Sequence, residues 1–490
     1  FKQKTAYEIR NCDWSSDVCS SDLLSAVLLA AGAGRAAPWT LAEVLERGLP
    51  ASPGLERARR DVARSEAAVD FSRSLRLPRL DLVGSASGTQ VGTSIGVISN
   101  LPTIGDLSFG LNQQGYAVLQ SLFAGTGVVL SANLLPIGEG WQLAAAGSAR
   151  QAARQQLGES ERQVRWDLES SYRDLQLRQA LVPVWETALE GSTALERDVR
   201  QIHARGLAAR IDVMRVAALR AGDRQGLVTA QAQRAAAQGR LAALLGLPGD
   251  DLPVAADPIR SRPDPWPLDL EATVRQALDG RPLLEALTLQ QRASRQRAQA
   301  ARSALLPSLS LLAGAGINTN TIDVPVLQAS GQVQGSGPRN LTLPSVETPG
   351  SLRGNFYDWG ALLQLRQPLY DGGRAASGAA LADRDAAMLE ADADVARQRI
   401  RMTVVEAWQQ LQASPERIAA AREAVAAGER ALRDARLRYL AQIEPLTEVL
   451  LVQRDLQVAR AALLLAESDQ AQGRALLRRE TGQGDAEATP

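Results

Sequence analysis

The sequence is poor in the residues that enzymes and metal sites most often require. It contains one histidine, His203, and two cysteines, Cys12 and Cys19, both near the beginning of the chain. Zinc sites are built mostly from cysteine and histidine, so we predict no metal site. Phosphate-loop and HExxH motifs are absent as well, and the one GxSxG match, Gly92-Thr93-Ser94-Ile95-Gly96, lies in a predicted loop rather than between a strand and a helix. We therefore expect neither a cofactor nor an enzyme.

Long apolar runs and an excess of one charge are also missing. After the first residues, no apolar run reaches the ~20 residues of a transmembrane helix. Lysine plus arginine number 54 and aspartate plus glutamate number 54, so the formal net charge is zero. The two signs are interspersed, which is typical of solvated helical faces. We therefore expect no nucleic-acid partner.

Lysine is confined to the beginning of the chain, at Lys2 and Lys4. Residues 1–23 also hold both cysteines, and they resemble a translation of the adapter oligonucleotides used in short-read DNA sequencing. We interpret 1–23 as a foreign segment that contributes nothing to folding. Residues 24–36 continue with an apolar stretch and then small residues, which is typical of the end of a secretory signal peptide. Cleavage is predicted after Ala36.

The rest of the sequence contains one pattern twice. Leu77-Pro78-x-Leu80 recurs 229 residues later as Leu306-Pro307-x-Leu309. The offset between matching residues rises to 236 further along the chain, where Asp212 corresponds to Glu448. An offset that drifts without resetting indicates an old tandem duplication, which must be recognised before any fold is inferred. We predict repeat 1 over 37–265, repeat 2 over 266–482 and a disordered tail over 483–490.

Each repeat contains long stretches rich in alanine, arginine and glutamate, which predict helices. They cover 54–76, 141–203, 212–246, 283–305, 374–440 and 448–480. In the fifth, Ile418, Val425, Leu432 and Tyr439 are seven residues apart, and a strict heptad predicts a left-handed coiled coil. We expect antiparallel hairpins with tips near 204–212 and 440–448.

The hydrophobic period changes from helical to twofold after Pro78 and Pro307. Leu80 and Leu82, for example, alternate with Arg79 and Asp81. This alternation predicts strands. We expect four of them, at 79–90, 121–135, 308–318 and 360–369, with loops near 91–120 and 319–359 where glycine, serine, threonine and asparagine dominate.

These elements, in this duplicated order, resemble the TolC-like outer-membrane efflux protein family. The likeness rests on the two Leu-Pro helix ends, on the turn Gln367-Pro368-Leu369-Tyr370-Asp371-Gly372-Gly373-Arg374, and on the tips that precede Asp212-Val213 and Glu448-Val449. It covers nearly all of 38–482. The first copy departs from the turn pattern at 134–140.

The resemblance implies an α+β fold, mostly α, with four long membrane strands and coiled-coil helical hairpins in each protomer. Three copies would form one β-barrel in the bacterial outer membrane, with alternate strand residues facing lipid and the loops outside, and an α-barrel extending into the periplasm. The implied function is the passive exit duct of a tripartite efflux pump or type I secretion system for small molecules or proteins. The implied partners are two further copies of the chain, a periplasmic adaptor, an inner-membrane pump and outer-membrane lipid.

The resemblance also implies a gate at the periplasmic entrance, where the hairpin tips converge and acidic side chains form rings. The matching positions are Asp212 and Glu448, and a second acidic position one turn on is Leu451 here. Arg210 and Arg215 lie close in sequence and are candidate partners that tie the tips shut. Alternatively, each carboxylate is simply a first-turn residue that the helix dipole favours.

A second reading is a periplasmic coiled-coil adaptor or an envelope scaffold. Adaptors also carry long hairpins, but usually one hairpin flanked by compact β-domains. The sequence predicts two hairpins, each flanked by two long strands, and this favours the exit duct.

Overall fold

A computed structural model describes residues 38–100, 110–248, 251–259, 265–334, 341–347 and 350–482. The predicted foreign segment 1–23, the signal remnant 24–36 and the tail 483–490 lie outside the described residues. The boundaries of the two repeats stay a prediction.

The described residues form eight α-helices and seven strands. The helices are α1 (Leu41–Ala51), α2 (Pro53–Ser74), α3 (Ile137–Ala204), α4 (Arg210–Leu245), α5 (Leu270–Asp279), α6 (Pro282–Arg302), α7 (Arg374–Leu440) and α8 (Leu446–Thr481). The strands are β1 (Pro38–Trp39), β2 (Arg79–Asn100), β3 (Gly110–Asn133), β4 (Val254–Ala255), β5 (Ser308–Gln334), β6 (Leu341–Glu347) and β7 (Gly350–Arg366). Each predicted helix is present, with ends only a few residues from those expected.

The long strands form one antiparallel sheet in the order β2-β3-β5-β7, and β6 pairs with the far end of β5. The strands are longer than predicted. The expected loops near 91–120 and 319–359 were wrong in large part, because β2, β3, β5, β6 and β7 extend into them. Glycine and hydroxyl residues gave these stretches the composition of a loop, but a ladder of backbone hydrogen bonds needs no apolar alternation.

The chain divides into two compact units. The strand unit combines Arg57–Glu159 with Arg281–Arg399, and the hairpin unit combines residues up to Glu56 with Ser160–Gly280 and the segment from Ile400 onward. Each unit therefore draws on both predicted repeats. This is what a duplication produces when corresponding elements of the two copies pack side by side.

In the strand unit, the return from sheet to helix is built differently in the two halves. After β7, Asp371 accepts hydrogen bonds from the backbone amides of Gly373 and Ala375, at 3.0 and 2.7 Å. Gly372 and Gly373 have φ of 72° and 82°, a conformation that favours glycine. After β3, where the turn motif is missing, the Asn133 side chain accepts from the Leu135 amide at 3.2 Å. The departure at 134–140 thus replaces the cap by an asparagine turn before α3, and the Asn133 side chain also donates to the Glu139 carboxylate in the first turn of α3 at 2.9 Å.

In the hairpin unit, one core joins α1, α3 and α4. Val44, Leu168 and Leu241 are buried there together with Tyr172. The Tyr172 hydroxyl lies 2.9 Å from the carbonyl oxygen of Trp39 and 2.9 Å from the Asp257 carboxylate. Burial raises the pKa of Tyr172 well above its usual range. The core therefore holds β1 and its neighbour β4 against the long helices.

Candidate functional site

The sheet of the strand unit has one continuous apolar face. In an antiparallel pair, residues directly opposite each other point to the same face. Leu82 lies opposite Val128, Val128 opposite Ala315, and Ala315 opposite Trp359. Following the same register, this apolar face contains Leu80, Leu82, Leu122, Val128, Leu130, Leu309, Leu311, Ala313, Ala315, Ile317, Tyr357, Trp359, Leu363 and Leu365.

The apolar face is exposed on the single chain. Leu82 is 80% exposed and Trp359 is 85% exposed. Soluble monomers rarely expose contiguous apolar surface on this scale, and such a surface normally contacts a membrane or a protein. Two aromatic residues, Tyr357 and Trp359, lie on this face and are 81% and 85% exposed, so they add to its apolar surface.

The height of the apolar face matches a bilayer. The face is highest on β3, from Ala132 to Leu122, which is about 33 Å of strand at ~3.3 Å per residue. Toward β7 the face turns polar earlier, where Thr319 lies opposite Asn355 and Thr321 opposite Arg353. A strand tilt of about 40° reduces the height on β3 to about 25 Å, close to the ~25 Å apolar band of outer-membrane proteins. The next row is polar, because Gln90 faces Gln120 and Gln120 faces Asp323.

The opposite face of the sheet is rich in glycine and more polar than the first, and it also contains Phe123, Leu312, Phe356 and Leu362. Ser85 lies opposite Gly125, which lies opposite Asn318. Other members of this polar face are Asp81, Ser87, Thr89, Gly127, Gly314, Gly316, Asn320 and Asp358. The face therefore has the character of a surface in contact with water, as in the interior of an outer-membrane channel.

Glycines on the polar face allow the strands to approach and bend toward it. A Cβ at Gly127 would lie 2.9 Å from the carbonyl oxygen of Ala315, and one at Gly316 would lie 3.0 Å from that of Thr126. A side chain at Gly127 would force the backbone to shift, and one at Gly316 would be unusually tight. Glycines at defined sheet positions are a common means of introducing curvature, so we infer that the sheet is suited to curve with its polar face inside.

The candidate gate residues lie at the hairpin tips of the hairpin unit. Asp212 is in the first turn of α4, 3.7 Å from the Arg215 guanidinium. Glu448 is in the first turn of α8 and exposed. Neither helix has a hydrogen-bonding side chain at its N-cap, where Ala209 and Pro445 stand. Each carboxylate therefore also compensates the positive end of a helix dipole.

The structure brings only one of the predicted pairs together. Arg215 pairs with Asp212, whereas Arg210, the first residue of α4, and Glu448 form no ion pair among the described residues. Both are exposed at the tips. Within one chain, therefore, the four candidates do not form a closed cluster, and Glu448 is left available to other groups.

Tyr439 is a tip residue that sequence reasoning did not assign to the gate. It belongs to an apolar cluster with Leu195, Val216 and Val449, which holds the two hairpins together at the tips. Burial, and then the negative charge of Asp212, raise the pKa of Tyr439. The heptad pattern identified Tyr439 as a core residue, but no sequence signal links it to Asp212 on the other hairpin.

A second missed feature is a buried carboxylate above the tip. Glu196 is almost fully buried and pairs with Arg200 at 2.6 Å and with Arg220 at 3.0 Å. The four-residue spacing of Glu196 and Arg200 on one helix predicts their pairing. The contact to Arg220 on α4 requires knowledge of how the hairpin packs.

The described residues contain neither a metal-binding cluster nor a helix that could cross a membrane. No group of three or more histidine, cysteine, aspartate or glutamate residues is arranged to hold a metal ion. No described helix combines the length and the hydrophobicity that crossing a membrane demands.

The fold is shared with solved outer-membrane channels. The chain superposes on the CusC channel with a TM-score of 0.69 at 19% identity, covering 91% of this chain and 92% of that one. For VceC of Vibrio cholerae the TM-score is 0.67 at 18% identity, covering 90% and 96%. For the open state of the MtrE channel of Neisseria gonorrhoeae the TM-score is 0.65 at 18% identity, and the match covers 90% of this chain and 88% of that one.

The family match points the same way. Residues 273–483 match the family model described as outer membrane efflux protein. No curated protein matches the chain. The predicted resemblance to TolC-like outer-membrane efflux proteins is confirmed, and with it the mostly helical α+β fold and the assignment to the outer membrane.

Proposed function

We propose that this chain is the protomer of a passive exit duct in the bacterial outer membrane, through which a tripartite efflux pump or a type I secretion system releases small molecules or proteins. The observation that carries the proposal is the two-faced sheet, with a bilayer-high apolar face and a polar, glycine-rich face. The efflux-family match of residues 273–483 supports it. The duct performs no catalysis of its own.

Closure of the sheet supports a homotrimer. Among the described residues, β2 pairs only with β3, and β7 pairs only with β5. An unpaired strand edge in hydrocarbon leaves backbone groups unsatisfied at several kcal/mol each, so membrane sheets close into barrels. We therefore propose that β2 of one copy pairs with β7 of the next until the ring closes, with three copies as in the family.

The helical extension then lies in the periplasm, where a periplasmic adaptor would connect it to an inner-membrane pump. The alternative of a periplasmic adaptor or envelope scaffold is not favoured, since such a protein has no use for a bilayer-high apolar sheet face.

The test is purification in detergent followed by two measurements. A heat-sensitive oligomer on gels and discrete single-channel conductance steps in planar bilayers are expected for the duct. A protein that stays monomeric on native gels and gives no conductance would overturn the proposal in favour of an adaptor or scaffold.

We further propose that Asp212 and Glu448, with Arg210 and Arg215, form the entrance gate. Exposed carboxylates that converge on an axis attract cations and bind divalent ions. We expect Glu448→Gln, and to a smaller extent Asp212→Asn, to lower cation selectivity and to weaken block by divalent cations.

A matched control for the gate is Glu444→Gln, because Glu444 already pairs with Arg438 at 3.0 Å. It should leave selectivity nearly unchanged. If Glu448→Gln and Asp212→Asn alter neither selectivity nor block, the acidic gate is wrong, while conductance itself would still support the duct.

A further inference from the structure

The polar face of the sheet contains a patch where backbone alone forms the surface. Gly127 on β3 lies opposite Gly316 on β5, and Gly314 on β5 lies opposite Gly360 on β7. A Cβ placed on Gly360 would meet no atom within 4 Å. Since glycine adds no side chain above the sheet, these neighbours form a shallow depression in the wall. This glycine recess consists of Gly127, Gly314, Gly316 and Gly360.

One carboxylate borders the glycine recess. Asp358 lies opposite Gly316, and its Oδ1 atom is 3.4 Å from the position that a Cβ on Gly316 would occupy. Asp358 is exposed and forms neither a hydrogen bond nor an ion pair among the described residues. Asp81, an acid on the same face, already lies 3.9 Å from the Arg79 guanidinium. Asp358 is therefore the acid of this pair that is free to bind a cation.

An aromatic ring and a carboxamide complete the rim of the glycine recess. Phe356 and Asn318 lie opposite each other, two residues from Asp358 along the strands, which is about 7 Å. The Phe356 ring is 51% exposed and leans along its own strand, with its Cζ atom 3.0 Å from the position of a Cβ on Gly354. The Asn318 side chain lies over Gly125 and forms no hydrogen bond among the described residues. The rim thus places an apolar ring and a neutral hydrogen-bonding group beside the carboxylate.

The chemistry around the glycine recess suits an organic cation. On the polar face of the described sheet, Asp358 is the one charged residue from the row of Val83 to the row of Thr89. A carboxylate attracts a nitrogen cation through charge-assisted hydrogen bonds, and the face of an aromatic ring attracts it as well. A flat apolar body can lie on the glycine backbone, where no side chain holds it away from the wall. An anion would instead meet an unpaired negative charge.

We propose that the glycine recess binds organic cations with a flat aromatic body. Asp358 pairs with the positive charge, the Phe356 ring packs against the aromatic body, and Asn318 offers a hydrogen bond at the rim. The inference rests on the proposed function, because the polar face becomes the wall of the lumen only when the sheet closes into a barrel. It adds to that function a class of substrate that the wall retains on its way out.

Binding of rhodamine 6G, a flat cationic dye, tests the proposal with the full chain in a nonionic detergent. Fluorescence anisotropy of the dye should rise and saturate with added protein, whereas fluorescein, an anion with the same ring system, should not bind. Asp358→Asn should raise the half-saturating protein concentration about fivefold, the equivalent of one exposed ion pair. Phe356→Ala should raise it roughly two- to fivefold, through the lost contact with the ring.

Each of these variants has a matched control. Asp81→Asn removes an acid that already has a partner on the same face, and Tyr357→Ala removes an aromatic ring from the apolar face. Both should leave the half-saturating concentration nearly unchanged. Gly360→Val fills the glycine recess from a position with open space around it, so it should abolish dye binding while the oligomer remains. Conductance steps in planar bilayers show that each variant has assembled.

The outcomes separate the recess from the duct. If the variants conduct but Asp358→Asn and Gly360→Val bind rhodamine 6G as tightly as the unaltered chain, the recess is not the site and the duct stands. Fluorescein that binds as tightly as rhodamine 6G would also contradict the recess. If the unaltered chain forms neither an oligomer nor a channel, both fall, because the polar face then encloses no lumen.

Discussion

Placing an arginine at Leu82 tests whether the apolar face of the sheet meets lipid. Leu82 belongs to a row with Val128, Ala315 and Trp359 in the middle of the apolar face, so it should lie near the midplane of the bilayer. An arginine on the lipid face of a barrel costs about 2–4 kcal/mol at the midplane and ~0–1 kcal/mol near the interfaces. Leu82→Arg should therefore shift the folding equilibrium in lipid vesicles by roughly 30- to 900-fold.

The neighbouring residue Val83 is the matched control, because adjacent strand residues point to opposite faces. Val83 lies opposite Gly127, on the polar face. Val83→Arg should change the free energy of unfolding much less, since its side chain would lie in water. The assay is urea-induced unfolding in vesicles, followed by tryptophan fluorescence. Equal effects of Leu82→Arg and Val83→Arg would refute the assignment of the faces.

Three further predictions concern the hairpin unit. Gly226→Ala should lower the free energy of unfolding by about 1–3 kcal/mol, because the new Cβ would clash with the Trp185 ring at 2.3 Å. Gly222 has open space around it, so Gly222→Ala should raise the free energy of unfolding by about 0.5–1 kcal/mol. Thermal unfolding that ranks the two variants alike would contradict the packing. Leu241→Ala should lower the free energy of unfolding by about 2–5 kcal/mol, since Leu241 is fully buried. A loss under 1 kcal/mol would argue against the core formed by α1, α3 and α4. The pKa of Tyr439 is raised above 10.0 in the folded chain. The contribution of Tyr439 to stability is therefore complete below about pH 10 and is lost as the pH rises further. Tyr439→Phe should flatten the decline in the unfolding midpoint above pH 10, and an unchanged decline would exclude Tyr439 as the cause of that decline.

Helices and the repeat were predictable from sequence because their signals are local and long. The heptad of Ile418, Val425 and Leu432 fixes a helix and its buried face without knowledge of any partner. The ends of α7 agree with the prediction because the Asp371-Gly372-Gly373 turn carries its own capping chemistry. A one-dimensional pattern suffices wherever the interactions are between near neighbours.

Strand length and tip contacts were not predictable for the same reason. Beyond Gln90 and Gln120 the apolar alternation ends, yet the backbone ladder continues to Asn100, because pairing there depends on a partner strand rather than on burial. The contact of Arg220 with Glu196 and the proximity of Tyr439 to Asp212 both join separate helices. The gate was placed at Asp212 and Glu448 by resemblance, and no composition or spacing rule pointed to Tyr439.

Conductance combined with thiol modification tests the central claim most directly. In a background without other cysteines, Ser85→Cys places a thiol on the polar face and Ala86→Cys places one on the apolar face. Single-channel conductance is measured in planar bilayers before and after a water-soluble maleimide-polyethylene glycol of about 5 kDa. The exit duct predicts discrete steps that shrink after modification of Ser85→Cys only. The absence of channels, or steps that shrink for Ala86→Cys and not for Ser85→Cys, would contradict it.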